Sequence, residues 1–356
     1  MSLYALARPF LRFISPEKAH GMAIDAMKRG LSPRFMERDD PILATRLWGL
    51  EFPNPIGLAA GFDKNAEVVD PVLDLGFGFV EAGTVTPRPQ PGNPKPRLFR
   101  LDEDQGVINR FGFNSEGLAP FVARLHARRT AGRGGIVGAN VGKNKDSTDA
   151  IEDYVTGVAA TCEVADYLVC NISSPNTPGL RSLQARDDMS ALLKQVLLVR
   201  DEAYPHALGR PPLLVKVAPD LDDGALADVA QVALETGVDG VIMGNTTLSR
   251  PDSLKSAHKG ETGGLSGAPL MTLSTDRLAR LYRLLDGRLP LIGAGGVASG
   301  KDAYLKIRAG ASLVQLYSSM VFHGPELIRD IKADLAARLK ADGFTHVSEA
   351  VGAGLN

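Results

Sequence analysis

Cysteine is nearly missing from this chain: Cys162 and Cys170 are the only two in 356 residues. They form no CxxC pair, which excludes a disulfide framework, suits a reducing compartment and leaves both most simply as buried thiols. Histidine is scarce as well. His20, His126, His206, His258, His323 and His346 are scattered without metal-ligand spacing, so no metal is assigned. Neither sign of charge prevails, 40 basic residues standing against 41 acidic. No global field draws in nucleic acid, and none is expected as a partner. Also missing is a long apolar run: none approaches the ~18 residues of a spanning helix or reaches the ~7 to 15 of a signal-peptide core.

What is present is an ordinary globular composition, 44% hydrophobic and 23% charged, long enough for one large α/β barrel or two domains. The first thirty residues stand apart. Leu3, Leu6, Ala7, Phe10, Leu11 and Ile14 make one apolar stripe of a helix, with Arg8 and Arg12 off it and Pro9 straining it. Ser15-Pro16-Glu17 then restarts the chain as an N-cap, a proline in the first turn and an acid. The second helix gathers Ala19, Met22, Ala23, Ala26 and Met27 on one face and closes near Gly30. Two readings fit this pair: a helical hairpin docked on its own domain, or two helices lying in a membrane interface.

After a small hairpin, Arg46 to Trp48 with Glu51 to Pro53, strands and helices alternate without pause. Strands are expected near Ile56–Leu58, Phe79–Gly83, Ile136–Val141, Tyr167–Asn171, Leu213–Val217, Gly240–Met243, Leu291–Gly293 and Ser312–Tyr317. Helical patterns lie between them, among them Ala66–Leu75, Thr148–Cys162, Met189–Arg200, Gly224–Glu235, Thr275–Leu285 and Lys301–Ala309, with a last one near Pro325 to Leu339. Short, apolar strands in this rhythm predict an α/β fold, a single (β/α)8 TIM barrel over residues 41–340, preceded by a helical pair over 1–40. The proline-rich insertion from Thr86 to Ser115 exceeds a normal βα loop and reads as a lid or substrate loop. Residues 341–356 carry little periodicity and are expected to form a loose tail.

In such a barrel the working residues follow the carboxyl ends of the strands. Polar residues do so here one strand after another, most densely in Asn171 to Gly179, where two prolines restrain amides and hydroxyls. Gly293 to Gly296 and Tyr317-Ser318-Ser319 follow the seventh and eighth strands, the place of a phosphate grip built from backbone N–H groups. Gly293-x-Gly295-x-x-Ala298 lacks the acidic residue a dinucleotide fingerprint carries about twenty positions on, and Gly138 to Asn144 is one spacer short of a P-loop. Lys216 lies within a strand and Lys64 just after one. A buried lysine needs an anion or an electron-rich ring, so one suits a flavin edge and the other a substrate carboxylate. Asn109, Asn171, Asn176 and Asn245 supply the alternating donors and acceptors that a cyclic imide or urea requires.

Long collinear motifs carry a resemblance: Gly57 to Lys64 (GLAAGFDK), Gly83 to Asn93 (GTVTPRPQPGN), Asn109 to Asn114 (NRFGFN), Asn171 to Arg181, Gly263 to Gly267 (GGLSG) and Gly310 to Tyr317 (GASLVQLY). Together these resemble quinone-dependent (class 2) dihydroorotate dehydrogenase, over residues from about Pro16 to Leu339. The resemblance implies an FMN enzyme of pyrimidine synthesis that oxidises dihydroorotate to orotate and passes electrons to ubiquinone or menaquinone. It implies Ser174 as the base that removes the C5 proton; a serine is a poor base and requires a relay, for which Thr177 and a nearby water are the candidates. Substrate would be held by Lys64, Asn109, Arg110, Phe111, Gly112, Phe113, Asn171, Asn176, Asn245 and Thr246. The cofactor positions are Ala60, Gly61, Phe62, Asp63, Lys64, Thr84, Asn140, Asn171, Lys216, Gly244, Gly267, Gly296, Tyr317 and Ser318. Gly244 stands where the family often has threonine, so a contact there would be through backbone. Class 1 relatives use cysteine as base and lack the leading helices, which favours the membrane reading of residues 1–30. His20 and Arg100 are then candidate tunnel residues, although His20 fits an ordinary histidine on the polar face of its helix equally well, and the expected state is a monomer peripheral to the cytoplasmic side of a bacterial inner membrane.

Overall fold

The computed structural model describes residue 4 and residues 13–35, 37–205 and 209–355. Its centre is a closed barrel of eight parallel strands: β3 (Ile56–Leu58), β4 (Phe79–Val85), β7 (Ile136–Val141), β8 (Tyr167–Asn171), β9 (Leu213–Val217), β10 (Gly240–Met243), β12 (Leu291–Ala294) and β13 (Ala311–Leu316). They follow one another around the barrel in chain order, and β13 closes on β3. Nearly every residue in them is buried, because the barrel lumen lies on one side and a ring of helices on the other. The eight-stranded (β/α)8 reading therefore holds, with strand ends displaced by two residues at most.

Alternation along each strand sorts side chains between lumen and helix layer. The lower lumen is apolar, filled by Phe79, Tyr167, Val169, Leu214, Ile242, Ile292 and Leu313. The predicted hairpin, β1 (Thr45–Leu47) and β2 (Leu50–Phe52), plugs this end with Trp48 and Phe52; Trp48 Nε1 donates to the Asp239 carbonyl at 2.8 Å. The upper lumen is polar. Glu81, Asn140, Asn171, Lys216 and Gln315 are all buried and all face one another across the barrel.

Around the strands run α1 (Pro16–Lys28), α2 (Val69–Leu73), α3 (Leu118–Thr130), α4 (Ala150–Thr161), α5 (Arg186–Ala203), α6 (Asp223–Thr236), α7 (Met271–Leu285), α8 (Gly300–Arg308), α9 (Met320–His323) and α10 (Leu327–Ala341). Side-chain N-caps start several of them: Asp149 accepts from the Glu152 N–H, Asp222 from Ala225 and Ser299 from Asp302. α2 begins at Val69, not at the expected Ala66. Ala66 has φ +57°, and the Asp63 carboxylate takes the N–H groups of Glu67 and Val68, so the chain turns before it coils.

Three further expectations meet the structure differently. The apolar stripe from Leu3 to Leu11 falls outside the described residues, except for Tyr4, and α1 is the second of the two helices expected there. The 86–115 insertion is not a bare loop: β5 (Leu98–Leu101) and β6 (Gly106–Asn109) pair with each other and with β11 (Gly264–Gly267). One face of this sheet packs Phe99, Leu101, Ile108 and Leu265 into a small core of its own, while Leu98, Arg100, Val107 and Asn109 face the cavity described below. Residues beyond 341 are not a loose tail. Val347 and Ala350 are buried, and the N–H groups of Gly352 and Gly354 donate to the carbonyls of Ile307 and Arg308 at 3.0 Å.

Candidate active site

A cavity of about 480 Å³ opens at the carboxyl end of the barrel. That is within the usual range for a small-molecule site. It collects nearly all the expected residues. The loop after β3 brings Ala60, Gly61, Phe62 and Lys64, and β4 brings Thr84. The insertion adds Asn109, Phe111, Gly112 and Phe113, and β8 with its loop adds Asn171, Ser174 and Asn176. Lys216 comes from β9, Gly244 to Thr246 follow β10, Gly267 ends β11, and Gly296, Tyr317 and Ser318 follow β12 and β13.

Three of the expected substrate and cofactor residues do not line it, nor does the relay candidate Thr177. Asp63 is turned beneath the rim, where it caps the N–H groups of Glu67 and Val68. Asn140 sits below the cavity floor, donating to Glu81 at 2.7 Å and accepting from Thr84 at 2.5 Å, so it supports the floor from underneath. Arg110 turns outward to Glu261 at 2.7 Å and lies over the Phe99 ring. As residue 110 succeeds a cavity-facing Asn109 at the end of a strand, alternation sends it to the other side.

The loop after β8 is built by mutual hydrogen bonds. Asn171 Nδ2 donates to Thr84 Oγ1 at 2.9 Å, Ser173 Oγ to Asn171 Oδ1 at 2.9 Å, and Asn245 Nδ2 to Ser173 Oγ at 2.8 Å. Asn176 Nδ2 reaches Asn109 Oδ1 at 3.3 Å, tying this loop to the insertion. Arg181 latches it from outside, donating to the Ser173 and Thr246 carbonyls and pairing with Asp220 at 2.8 Å. Ser174 is buried, and among the described residues its Oγ accepts only a 3.3 Å bond from the Asn176 N–H. The buried hydroxyls of Thr177 and Thr246 have no partner among the described residues, nor do Ser319 Oγ and Gln315 Oε1. Buried polar atoms left so are the mark of a site that completes its hydrogen bonds with a ligand or water.

Two cations meet this cup. Lys64 Nζ donates to the Gly61 carbonyl at 2.7 Å and lies 4.4 Å from the Phe111 ring centre. Burial pushes its ammonium down to about 8, with the Arg97 charge adding to the push. Lys216 Nζ stands 3.4 Å from Glu81 Oε1, and the same carboxylate accepts from Asn140 and, at 2.6 Å, from Gln315. Burial and the neighbouring Glu81 charge raise the Tyr167 phenol well above its ordinary value. Glu81 and Gln315 were missed as site residues, although counting by twos from the buried Phe79 places Glu81 in the lumen. Gly244 has φ +124°, and a Cβ there would lie 2.3 Å from the Ala294 carbonyl, so only backbone meets the cavity at this position.

A protein-family model described as dihydroorotate dehydrogenase matches residues 42–339. This chain belongs to the dihydroorotate dehydrogenase family. It is 71% identical over 353 residues to a protein of Azorhizobium caulinodans named dihydroorotate dehydrogenase (quinone), covering 99% of each chain. It is 50% identical over 371 residues to the mitochondrial dihydroorotate dehydrogenase (quinone) of Arabidopsis thaliana, covering 98% of this chain and 81% of that protein. The crystal structure of the Eimeria tenella enzyme in complex with ferulenol superposes with a TM-score of 0.93 at 44% identity, over 98% of this chain and 99% of the other. Members of this family are flavin-dependent, and the cavity of this chain meets what a flavin asks. Gly295 and Gly296 have positive φ and bring backbone close to it, and unpartnered Thr246, Gln315 and Ser319 atoms stand in its walls.

At its outer end the cavity changes character. α1 walls it with Pro16, Ala19, Ala23, Ala26 and Met27, so the expected small-residue face turns inward, whereas Met22 is 45% exposed. His20 lies here, 5.3 Å edge-to-face from Phe62, with Nδ1 3.4 Å from the Tyr317 hydroxyl. Burial, aided by the Lys64 charge, pushes its imidazole down to about 3. Arg100 reaches back to the Ile14 carbonyl.

Proposed function

We propose that this chain oxidises dihydroorotate to orotate on a bound FMN and delivers the electrons to a membrane quinone, a step of pyrimidine synthesis. The observation that carries this reading is continuity: one cavity is lined at its inner end by Lys216, Asn171 and Ser174 and at its outer end by the apolar face of α1. The inner end suits a polar ring and the outer end an isoprenoid quinone.

Thr84, Lys216, Gly267, Gly296, Tyr317 and Ser318 would hold the flavin, which would supply the acceptor for the hydride on C6 of the substrate. The chain supplies the rest. Ser174 Oγ takes the C5 proton as its own hydroxyl proton leaves along a relay of Thr177, whose buried hydroxyl has no partner among the described residues, and a water. The asparagines Asn109, Asn171, Asn176 and Asn245 match the alternating edge of the pyrimidine ring. Lys64 meets the carboxylate, and Lys216, paired with Glu81 at 3.4 Å, is the cation that would stand at the flavin edge.

Lys64 makes this pH-dependent. Its ammonium is present below about 8 and lost above that value. The KM for dihydroorotate should therefore rise with pH in that range, approaching roughly tenfold per unit once the free amine predominates. A KM that stays flat from about pH 7 to about pH 10 would remove Lys64 from carboxylate binding.

Phe13, Met22 and Leu31 are exposed apolar residues at the α1 end of the molecule, Phe13 being 91% exposed. No helix among the described residues is long and apolar enough to cross a membrane, so the reading is of a surface that lies on one. We place it at the cytoplasmic side of the inner membrane, as a monomer. Deleting residues 2–30 tests the assignment. Quinone reduction should fall by about tenfold or more, since both the apolar wall and the anchor are removed, while dihydroorotate still reduces the flavin. Unchanged quinone turnover would refute the role of α1.

A further inference from the structure

Lys306, on α8, is the most completely buried charged side chain outside the site, with 0% of its surface exposed, and it forms no ion pair among the described residues. Its Nζ donates to Ser274 Oγ at 2.5 Å. Among the described residues the carboxylate that acts on it electrostatically is Asp302, which is itself engaged by Ser299 Oγ and the Ala298 N–H. A buried ammonium satisfied by one neutral hydroxyl is costly unless an anion compensates it.

The hydroxyl leads to the cavity. Ser274 Oγ, accepting from Lys306, donates to the Gly295 carbonyl at 2.9 Å, the shorter of its two acceptor contacts. That carbonyl belongs to the same planar peptide as the Gly296 N–H. The peptide is trans, so fixing its oxygen inward toward Ser274 directs its N–H the opposite way. Gly295 and Gly296 both line the cavity, and a Cβ on Gly296 would lie 2.3 Å from Met271 Cα, so the turn is glycine by necessity. A charge-assisted chain ending on the peptide oxygen also polarises its N–H into a stronger donor.

We propose that Lys306 is a positioning residue for the phosphate of the bound flavin, acting through Ser274 on the Gly295–Gly296 peptide and favouring phosphorylated over unphosphorylated flavin. This rests on the FMN reading of the cavity given above. Burial pushes the ammonium down to about 7, against the pull of Asp302, so the protein alone holds the charge weakly and a dianion beyond the turn would hold it firmly.

The test is to free the full-length chain of flavin and titrate it with FMN and with riboflavin, following flavin fluorescence. Unmodified protein should prefer FMN. Lys306→Met, which keeps the length of the stem, should lower FMN affinity about tenfold, as expected for losing a hydrogen bond from a charged group, and leave riboflavin affinity unchanged. Ser274→Ala should lower the same preference and decides the matter if Lys306→Met does not fold. An FMN-to-riboflavin preference unaltered by the variants, or an equal loss of both ligands, overturns the proposal. No preference in the unmodified protein would instead refute the phosphate assignment of the cavity, which separates the two failures.

Discussion

Replacing Ser174 with alanine is expected to slow the reduction of the flavin by dihydroorotate about 10²- to 10⁴-fold, the usual cost of removing a general base. The expectation comes from geometry more than from residue type. The Ser174 hydroxyl projects into the cavity and receives nothing stronger than the 3.3 Å bond from the Asn176 N–H. Its neighbours Asn171, Ser173 and Asn245 bond to one another and leave it available. Arg181 fixes the loop from outside, so alanine should change chemistry and not loop position. Anaerobic stopped-flow mixing reads the effect directly, and substrate affinity should change far less than rate. A bleaching rate within a fewfold of the unmodified protein would exclude Ser174 as the base.

The second large effect concerns stability. Lys216 and Glu81 lie across the barrel from each other, both buried, with Asn140 and Gln315 completing the carboxylate's bonds. Removing the cation alone leaves a carboxylate in the lumen without its counter-charge. Lys216→Met should therefore cost about 3–5 kcal/mol of unfolding free energy. Adding Glu81→Gln should return much of it, because the neutral amide no longer needs a cation. Urea unfolding of the two variants is the check. A loss below about 1 kcal/mol, or a double variant no more stable than the single, would mean that the pair is not a coupled unit.

This pair shows where the sequence stops being legible. A lysine inside an apolar strand plainly demands a partner, and Lys216 stood out for that reason. Its partner lies 135 residues away on another strand, and only barrel closure brings the two together. Local alternation reaches the strands themselves, since lumen and helix layer impose their periods on consecutive residues. It cannot separate Asp63, which caps a turn, from Lys64, which enters the cavity, because both sit in one motif. Arg110, by contrast, follows the alternation of its strand outward to Glu261, but the sequence shows that strand only as part of a bare loop. Residues 341–355 looked unstructured for a related reason. They are held by backbone bonds from Gly352 and Gly354 and by a close approach of Gly352 to the Tyr282 ring, none of which needs a repeating pattern.

Segments from β3 to β13 line one cavity beside Ser174 that ends at the apolar face of α1, and the proposed function requires a flavin within it. Anaerobic addition of dihydroorotate to the purified full-length protein tests it most directly. The flavin absorbance should bleach with one orotate formed per flavin, and a quinone added afterwards should restore the colour. Protein that carries no flavin, or whose flavin keeps its colour under dihydroorotate, would contradict it.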